Sequence, residues 1–331
     1  MPLAITILLT LGVIFVNGWT DAPNAIATCV ATKSMGLRPA IAMAALMNLL
    51  GALTMTALNP FVAFTIYNMV DFGANTHDAS IALCAALVAI VVWAVAAWFF
   101  GIPTSESHAL IAGLTGAAIA LHGNFSGVSG RAWSKVLLGM VLSVVFSFLL
   151  GFILSRLVSP ALPRPQFFRR AQIAGAAATA FMHGAQDGQK FMGVFLLGVR
   201  LASGPGALRS ESFLIPLWLT FLCAATMALG TSMGGKKIIA SVGSGITTLT
   251  PRSGFCADLG AALSLLTSSL LGLPVSTTHA KVTAIMGVGA AENPRRINLQ
   301  TVKEMMLAWV CTFPGCGVLG FGMAKVLMWG W

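Results

Sequence analysis

Two motifs occur twice in this chain. Residues 101–109 read Gly-Ile-Pro-Thr-Ser-Glu-Ser-His-Ala, and residues 272–280, 171 positions later, read Gly-Leu-Pro-Val-Ser-Thr-Thr-His-Ala. Ahead of each lies a second motif: Asn-Gly-Trp-Thr-Asp-Ala-Pro-Asn at 17–24 and His-Gly-Ala-Gln-Asp-Gly-Gln-Lys at 183–190, with Asp21 and Asp187 166 positions apart. Both motifs set ionisable and helix-breaking residues inside apolar sequence. Two halves written alike must fold alike. Interrupted hydrophobic segments in matching places of two halves are the sequence mark of a secondary transporter and of its binding site.

Composition fixes the solvent. Hydrophobic residues make up 57% of 331 positions and charged residues only 8%, against roughly 25% in a soluble domain. So few charges cannot cover a water-facing surface, and the chain is expected to be an all-α polytopic membrane protein. The N-terminal apolar run leads straight into the Asp21 motif, so it is expected to belong to the fold and not to a cleaved signal. The net charge of +10 does not indicate nucleic acid, because the basic residues sit at segment ends and form no single patch. Six cysteines fall in or beside apolar segments without metal-like clustering, and read as small buried hydrophobes.

Ten apolar segments follow, at about 2–32, 39–58, 79–100, 106–121, 132–158, 171–199, 213–233, 254–271, 275–291 and 304–329. The fourth and ninth are shorter than the roughly 20 residues a span needs, and each follows a Gly-x-Pro break. They either span or pair with their predecessors as re-entrant Gly-Pro helical hairpins. Each half then crosses five or three times. An odd count turns the second half over, so the sequence predicts two inverted-topology repeats with broken helices, 1–158 and 171–331, joined by a cytoplasmic linker at 159–170. With both termini outside, twelve Lys and Arg fall on the inner side and five on the outer. The positive-inside rule thus favours a multi-pass protein of the inner (plasma) membrane with both ends periplasmic.

The chemistry resides in the motifs. A helix that starts after each Gly-x-Pro break, with Pro in its first turn, has backbone N–H groups without partners, and in lipid each must find one. An anion satisfies several at once and is favoured by the helix dipole. Thr104, Ser105, Ser107, Ser276, Thr277 and Thr278 add hydroxyls at the same places, so two such helix starts suit an oxyanion. Asp21 and Asn24, on one helical face beside Pro23, suit Na⁺ or a proton. In the second copy Asp187 is followed by Gln189 and Lys190, and Lys190 stands where the first copy has Asn24. Its ammonium either pairs with Asp187 or fills a cation site, which leaves Asp21 as the carboxylate expected to load a proton. Glu106, His108, Asp258 and His279 are supporting residues. Lys281 either adds positive charge for the anion or reaches towards the interface. His183, matched to Asn17 and not to another histidine, ranks lower.

These stretches, with Gly-Phe-Cys-Ala-Asp-Leu-Gly at 254–260, resemble the duplicated signatures of the PiT inorganic phosphate transporter family, over nearly the whole chain and in order. The resemblance implies a symporter that moves phosphate with Na⁺ or H⁺, with Asp21, Asn24 and Asp187 in the cation motifs and the hairpin Ser and Thr residues on phosphate. The Asp-Gly-Gln-Lys form is similar to that of bacterial proton-coupled members, which carry phosphate or neutral metal-phosphate. The expectation is an H⁺-coupled importer of inorganic phosphate in the lipid bilayer, without cofactor and not an enzyme. A Na⁺-coupled carrier, with Na⁺ at Asp21, Asn24 and Asp187, and a sulfate permease are the alternatives within the fold. A homo-oligomer is compatible with the sequence. An intramembrane hydrolase using Ser105 or Ser276 is remote, because a nucleophile needs one asymmetric site. A passive channel leaves Asp21 and Asp187 unexplained.

Overall fold

The computed structural model describes residues 3–73, 75–102, 104–158, 165–202 and 214–330. Among them run thirteen α-helices: α1 (Leu3–Thr20), α2 (Ala27–Ala31), α3 (Leu37–Leu58), α4 (Phe61–Tyr67), α5 (Thr76–Phe100), α6 (Glu106–His122), α7 (Gly130–Leu157), α8 (Pro165–Ala202), α9 (Leu217–Met233), α10 (Lys236–Ser244), α11 (Pro251–Leu270), α12 (Thr277–Glu292) and α13 (Leu299–Gly330). Among the described residues, each of the ten expected segments is mainly helical. Two further short helices, α4 and α10, of 7 and 9 residues, lie between the expected segments. The stretch expected as a linker begins at 159–164, outside the described residues, and from Pro165 onward it is already the first turns of α8.

Among the described residues, five stretches are long and apolar enough to cross a membrane: Ala4–Ala31, Leu37–Leu58, Thr76–Phe100, Gly130–Leu157 and Leu299–Gly330. The pair α9 and α10, bent by 78°, makes a sixth candidate. Exposed aliphatic residues cover α7 and α13, such as Leu138, Val145, Leu307 and Val310. The polar side chains in the middle of α8 and in the first turns of α6 and α12 are buried inside. That distribution suits a protein whose solvent is lipid and whose polar groups must find partners within the fold.

Gly101 and Gly272 break the two hairpins, with φ of +69° and +65°, a region glycine enters without steric cost. Gly113 of α6 lies against Ile90 and Ala86 of α5, so the chain folds back on itself. The new helices start differently from the sequence expectation. Ser105 and Ser276 are their N-caps, and Pro274 lies two residues ahead of its cap, outside the first turn; Pro103 is outside the described residues. At 17 and 16 residues, α6 and α12 are both short for a span.

The two halves cross each other in matched pairs. Helix α6 packs on α13 and α12 packs on α7; α3 packs on α8 and α9 packs on α1. At the α6–α13 crossing, a Cβ on Gly116 would lie 2.0 Å from the carbonyl oxygen of Gly317, and at the α12–α7 crossing one on Gly287 would lie 2.0 Å from that of Phe148. Gly184 and Gly18 meet the carbonyls of Asn48 and Met227 at 2.1 and 2.2 Å in the same sense. Gly116 and Gly287 are 171 residues apart and Gly18 and Gly184 are 166 apart, the offsets of the motifs themselves. Each contact therefore occurs twice with the halves exchanged, at close crossings that only glycine permits.

Candidate functional site

Helix α1 ends at Thr20, just before Asp21, because Pro23 has no N–H to continue the ladder, and the chain takes a 3-10 turn over Ala22–Ile26 before α2. That break exposes the Asp21 and Asn24 side chains to the start of α12. Asn24 donates to Asp21 Oδ1 at 2.6 Å and to Thr278 Oγ1 at 2.9 Å; the Thr278 hydroxyl donates to Asp21, and Thr277 donates to Asp21 Oδ2 at 3.3 Å. Both oxygens of Asp21 are thereby engaged.

The second copy builds the same pattern on a different backbone. Helix α8 runs unbroken through Asp187, from Pro165 to Ala202, since Gly188 removes no hydrogen-bond donor where Pro23 does. Lys190 Nζ donates to Asp187 Oδ1 at 2.6 Å, to Ser107 Oγ at 2.6 Å and to the carbonyl of Val275. All three ammonium donors are used, in a cage of carboxylate, hydroxyl and carbonyl oxygens. Ser107 lies 3.5 Å from Asp187 Oδ1, and Asn17 donates to Asp187 Oδ2 at 3.2 Å.

Between the two copies stands His183. Its Nε2 is 3.4 Å from Asp187 Oδ2 and 3.9 Å from Asp21 Oδ2, while its Nδ1 pairs with Asn48 Oδ1 at 3.1 Å. Asn48 in turn donates to Thr231 at 2.9 Å. Ligand atoms of Asp21, His183 and Asp187 lie within 4.8 Å of one another, a spacing that a cation or a proton can bridge. His183 was underrated in the sequence for want of a duplicated histidine. The signal was there in another form: His183 and Asn17 hold the same place in the two copies, and both reach Asp187.

The hairpin residues converge on this cluster. The Ser105 and Ser276 side chains each accept from the backbone N–H three residues on, His108 and His279, at 3.2 Å. They cap their helices and keep a hydroxyl hydrogen to donate. Glu106 and Thr277 occupy matched first-turn positions; Glu106 meets the Thr20 hydroxyl, and its Oε2 has no hydrogen-bond partner. Asp21, Glu106, His183, Asp187 and Lys190 are at most 3% exposed, so the cluster is sealed from both sides of the protein. Thr104 is partly buried ahead of the Ser105 cap.

Several expected residues stand elsewhere. Gln189 turns away from the cluster: its amide donates to the carbonyl of Asn59 at 2.9 Å and accepts from the Ala63 N–H at 3.4 Å, which pins the α3–α4 corner. Asp258 pairs with Lys281, which neither reaches the interface nor joins the central cluster. Thr28 donates to Asp258 at 2.6 Å and Lys281 to the carbonyl of Ala25 at 3.0 Å, so the pair fastens the 3-10 turn to α11 and α12. His108 and His279 meet ring to ring at 4.6 Å and stack on Phe313 and Trp309. Neither ring nitrogen of His108 has a hydrogen-bond partner, and the Ser105 hydroxyl turns to backbone, so no Ser–His dyad forms at that hairpin.

The arrangement brings two helix N-termini, the hydroxyls of Ser107, Thr277 and Thr278 and a caged ammonium to one buried place beside three carboxylates. It can hold an oxyanion and exchange a small cation. Comparison with known proteins points the same way. The model of a family described as the phosphate transporter family matches residues 17–164 and again 160–320. A probable low-affinity inorganic phosphate transporter of Bacillus subtilis (strain 168) is 39% identical over 312 residues, 92% of this chain and 91% of that one. One of the same description from Rhizobium meliloti (strain 1021) is 36% identical, over 92% and 90% of the two chains. A solved structure described as the sodium-dependent phosphate transporter shares the fold with a TM-score of 0.87 and 24% identity, over 99% of each chain.

Proposed function

This chain belongs to the phosphate transporter family, and we propose that it is a symporter that imports inorganic phosphate with protons. It is a multi-pass membrane protein of a transporter family, not of an enzyme family. The matched crossings support two repeats, 1–158 and 171–331, related by inverted topology. The distribution of Lys and Arg supports placing both ends of the chain outside the inner (plasma) membrane.

The observation that carries proton coupling is the cage around Lys190. A carboxylate, a hydroxyl and a backbone carbonyl are the oxygens that a Na⁺ takes as ligands. Here an ammonium holds them, tied to Asp187 and Ser107 at 2.6 Å each. The second copy keeps its own cation, so a second Na⁺ has no place there. Phosphate binds between the α6 and α12 starts on Ser105, Ser107, Ser276, Thr277 and Thr278, once the hydroxyls of Ser107, Thr277 and Thr278 turn from Asp187 and Asp21 to the anion. One observation favours Na⁺ as a second reading: the first copy has no ammonium, and Asp21 and Thr278 present oxygens around Asn24.

Phosphate uptake by proteoliposomes, with Na⁺ and pH gradients imposed separately, tests the proposal. An inward proton gradient without Na⁺ is expected to drive accumulation. Strict Na⁺ dependence with no response to a pH gradient overturns proton coupling.

A further inference from the structure

We propose that Glu106 is the residue that takes up and releases the coupled proton, and that it must be protonated for phosphate to bind. This rests on the proton-symport reading above and moves the proton from Asp21, expected from the sequence, to a carboxyl that only one copy possesses. The hairpins read Ser-Glu-Ser and Ser-Thr-Thr at matched positions, so Glu106 stands where the second copy has the Thr277 hydroxyl.

The surroundings separate the three carboxylates. Asp187 has the Lys190 ammonium, Asn17 and His183 against it. Asp21 receives Asn24, Thr277 and Thr278, with His183 at 3.9 Å. Glu106 has Thr20 on one oxygen and no partner within hydrogen-bond distance on the other, while buried to 3% exposure. The charged and titratable groups that face it are Asp21 from the 3-10 turn and Asp187 from α8, both of its own sign, with Asn17 of α1 also beside it. Among the described residues it has no salt-bridge partner. A buried carboxylate so placed is costly as an anion and stable as an acid.

The contact with Thr20 is compatible with the acid form. Its single hydroxyl hydrogen faces the carbonyl of Val16 at 2.7 Å, which can only accept, and also the Glu106 carboxyl. When that hydrogen goes to Val16, the contact with Glu106 holds only if the carboxyl supplies the proton.

Coupling follows from position. Glu106 is in the first turn of α6, where backbone N–H groups and the helix dipole attract negative charge. As a carboxylate it repels an arriving phosphate and competes for the same groups. As a carboxylic acid it repels nothing and offers its O–H to a phosphate oxygen. Phosphate and one proton are therefore bound together outside. Inside, the proton leaves Glu106 for water as phosphate departs, with no covalent bond of phosphate made or broken.

The test is Glu106→Gln in proteoliposomes, with phosphate exchange at equal pH, accumulation under a pH gradient, and internal pH all measured. For the wild type, phosphate KM should rise about tenfold per pH unit above the titration midpoint. Glu106→Gln, fixed in the neutral form, should exchange phosphate with that slope gone. It should not accumulate phosphate and should not acidify the lumen. Accumulation or acidification by Glu106→Gln at wild-type level overturns the assignment. A wild type that never acidifies the lumen and needs Na⁺ sinks the proton-symport reading instead, so the two failures are distinct. If Glu106→Gln does not assemble, Glu106→Asp keeps a titratable group at altered reach; it should stay coupled with its KM–pH profile displaced, and an undisplaced profile overturns the proposal.

Discussion

Lys190 holds in the second copy the place that Asn24 holds in the first. Each reaches the carboxylate three residues before it at 2.6 Å, Asp187 and Asp21 respectively, and each reaches a hydroxyl of the opposite hairpin: Ser107 at 2.6 Å for Lys190, Thr278 at 2.9 Å for Asn24. The two half-sites are one design with an amide in one and an ammonium in the other. Lys190→Met should cost about 3–5 kcal/mol by leaving Asp187 buried without its cation, seen as a lowered unfolding midpoint in detergent. Lys190→Asn restores the residue of the first copy and frees the oxygen cage. It should make uptake respond to external Na⁺, whereas proton symport predicts no such response in the wild type. A variant that folds and stays indifferent to Na⁺ would show that the cage was never a cation site.

Asp21→Asn should behave unlike Glu106→Gln. Asp21 accepts from Asn24, Thr277 and Thr278 at once, so its charge holds the break in α1 against the start of α12. The amide keeps the shape but loses charge-assisted hydrogen bonds of roughly 1.5–3 kcal/mol each. Phosphate exchange and gradient-driven accumulation should fall together. Selective loss of accumulation in Asp21→Asn would return the proton to Asp21.

Much of this was legible in the sequence because the duplication writes each constraint twice. The motif offsets mark the matched residues, and the shared Gly-x-Pro-x-Ser pattern marks both hairpins and both caps. What escaped has physical reasons. Whether a helix breaks at an Asp-x-Pro or runs through an Asp-Gly depends on a single N–H, and the two copies differ in it. Gln189 looked like a site residue by its neighbours, yet its amide goes to the carbonyl of Asn59, a partner 130 positions away. His183 has no matching histidine in the first copy, where its equivalent is Asn17, an asparagine that also reaches Asp187.

The close crossings give a stability prediction independent of transport. Gly116→Ala and Gly287→Ala each place a Cβ 2.0 Å from a backbone carbonyl oxygen that cannot rotate away. The helices must part, at a cost of about 1–3 kcal/mol or more. The two variants should lower the unfolding midpoint by similar amounts, since they disturb equivalent crossings. A loss confined to one of them would break the equivalence of the two halves.

The hairpin caps allow helix stability and substrate binding to be tested at the same residues. Ser105 and Ser276 each accept a backbone N–H at 3.2 Å and keep one hydrogen to donate. Ser105→Ala and Ser276→Ala remove both functions. Loss of the cap costs about 1 kcal/mol of local helix stability. Loss of a hydrogen bond to a charged ligand costs roughly 1.5–3 kcal/mol, about tenfold or more in affinity. Replacing each serine by Asp restores the cap but adds a negative charge against the anion. If the serines serve phosphate, Ala and Asp variants both lose affinity, Asp more severely, although Asp recovers the unfolding midpoint. If they are caps alone, the Asp variants regain both stability and binding. Competition by arsenate but not sulfate for labelled phosphate, measured on the same variants, shows which anion the two helix starts select. Sulfate competing as well as phosphate would reassign the cargo while leaving the geometry of the two starts unchanged.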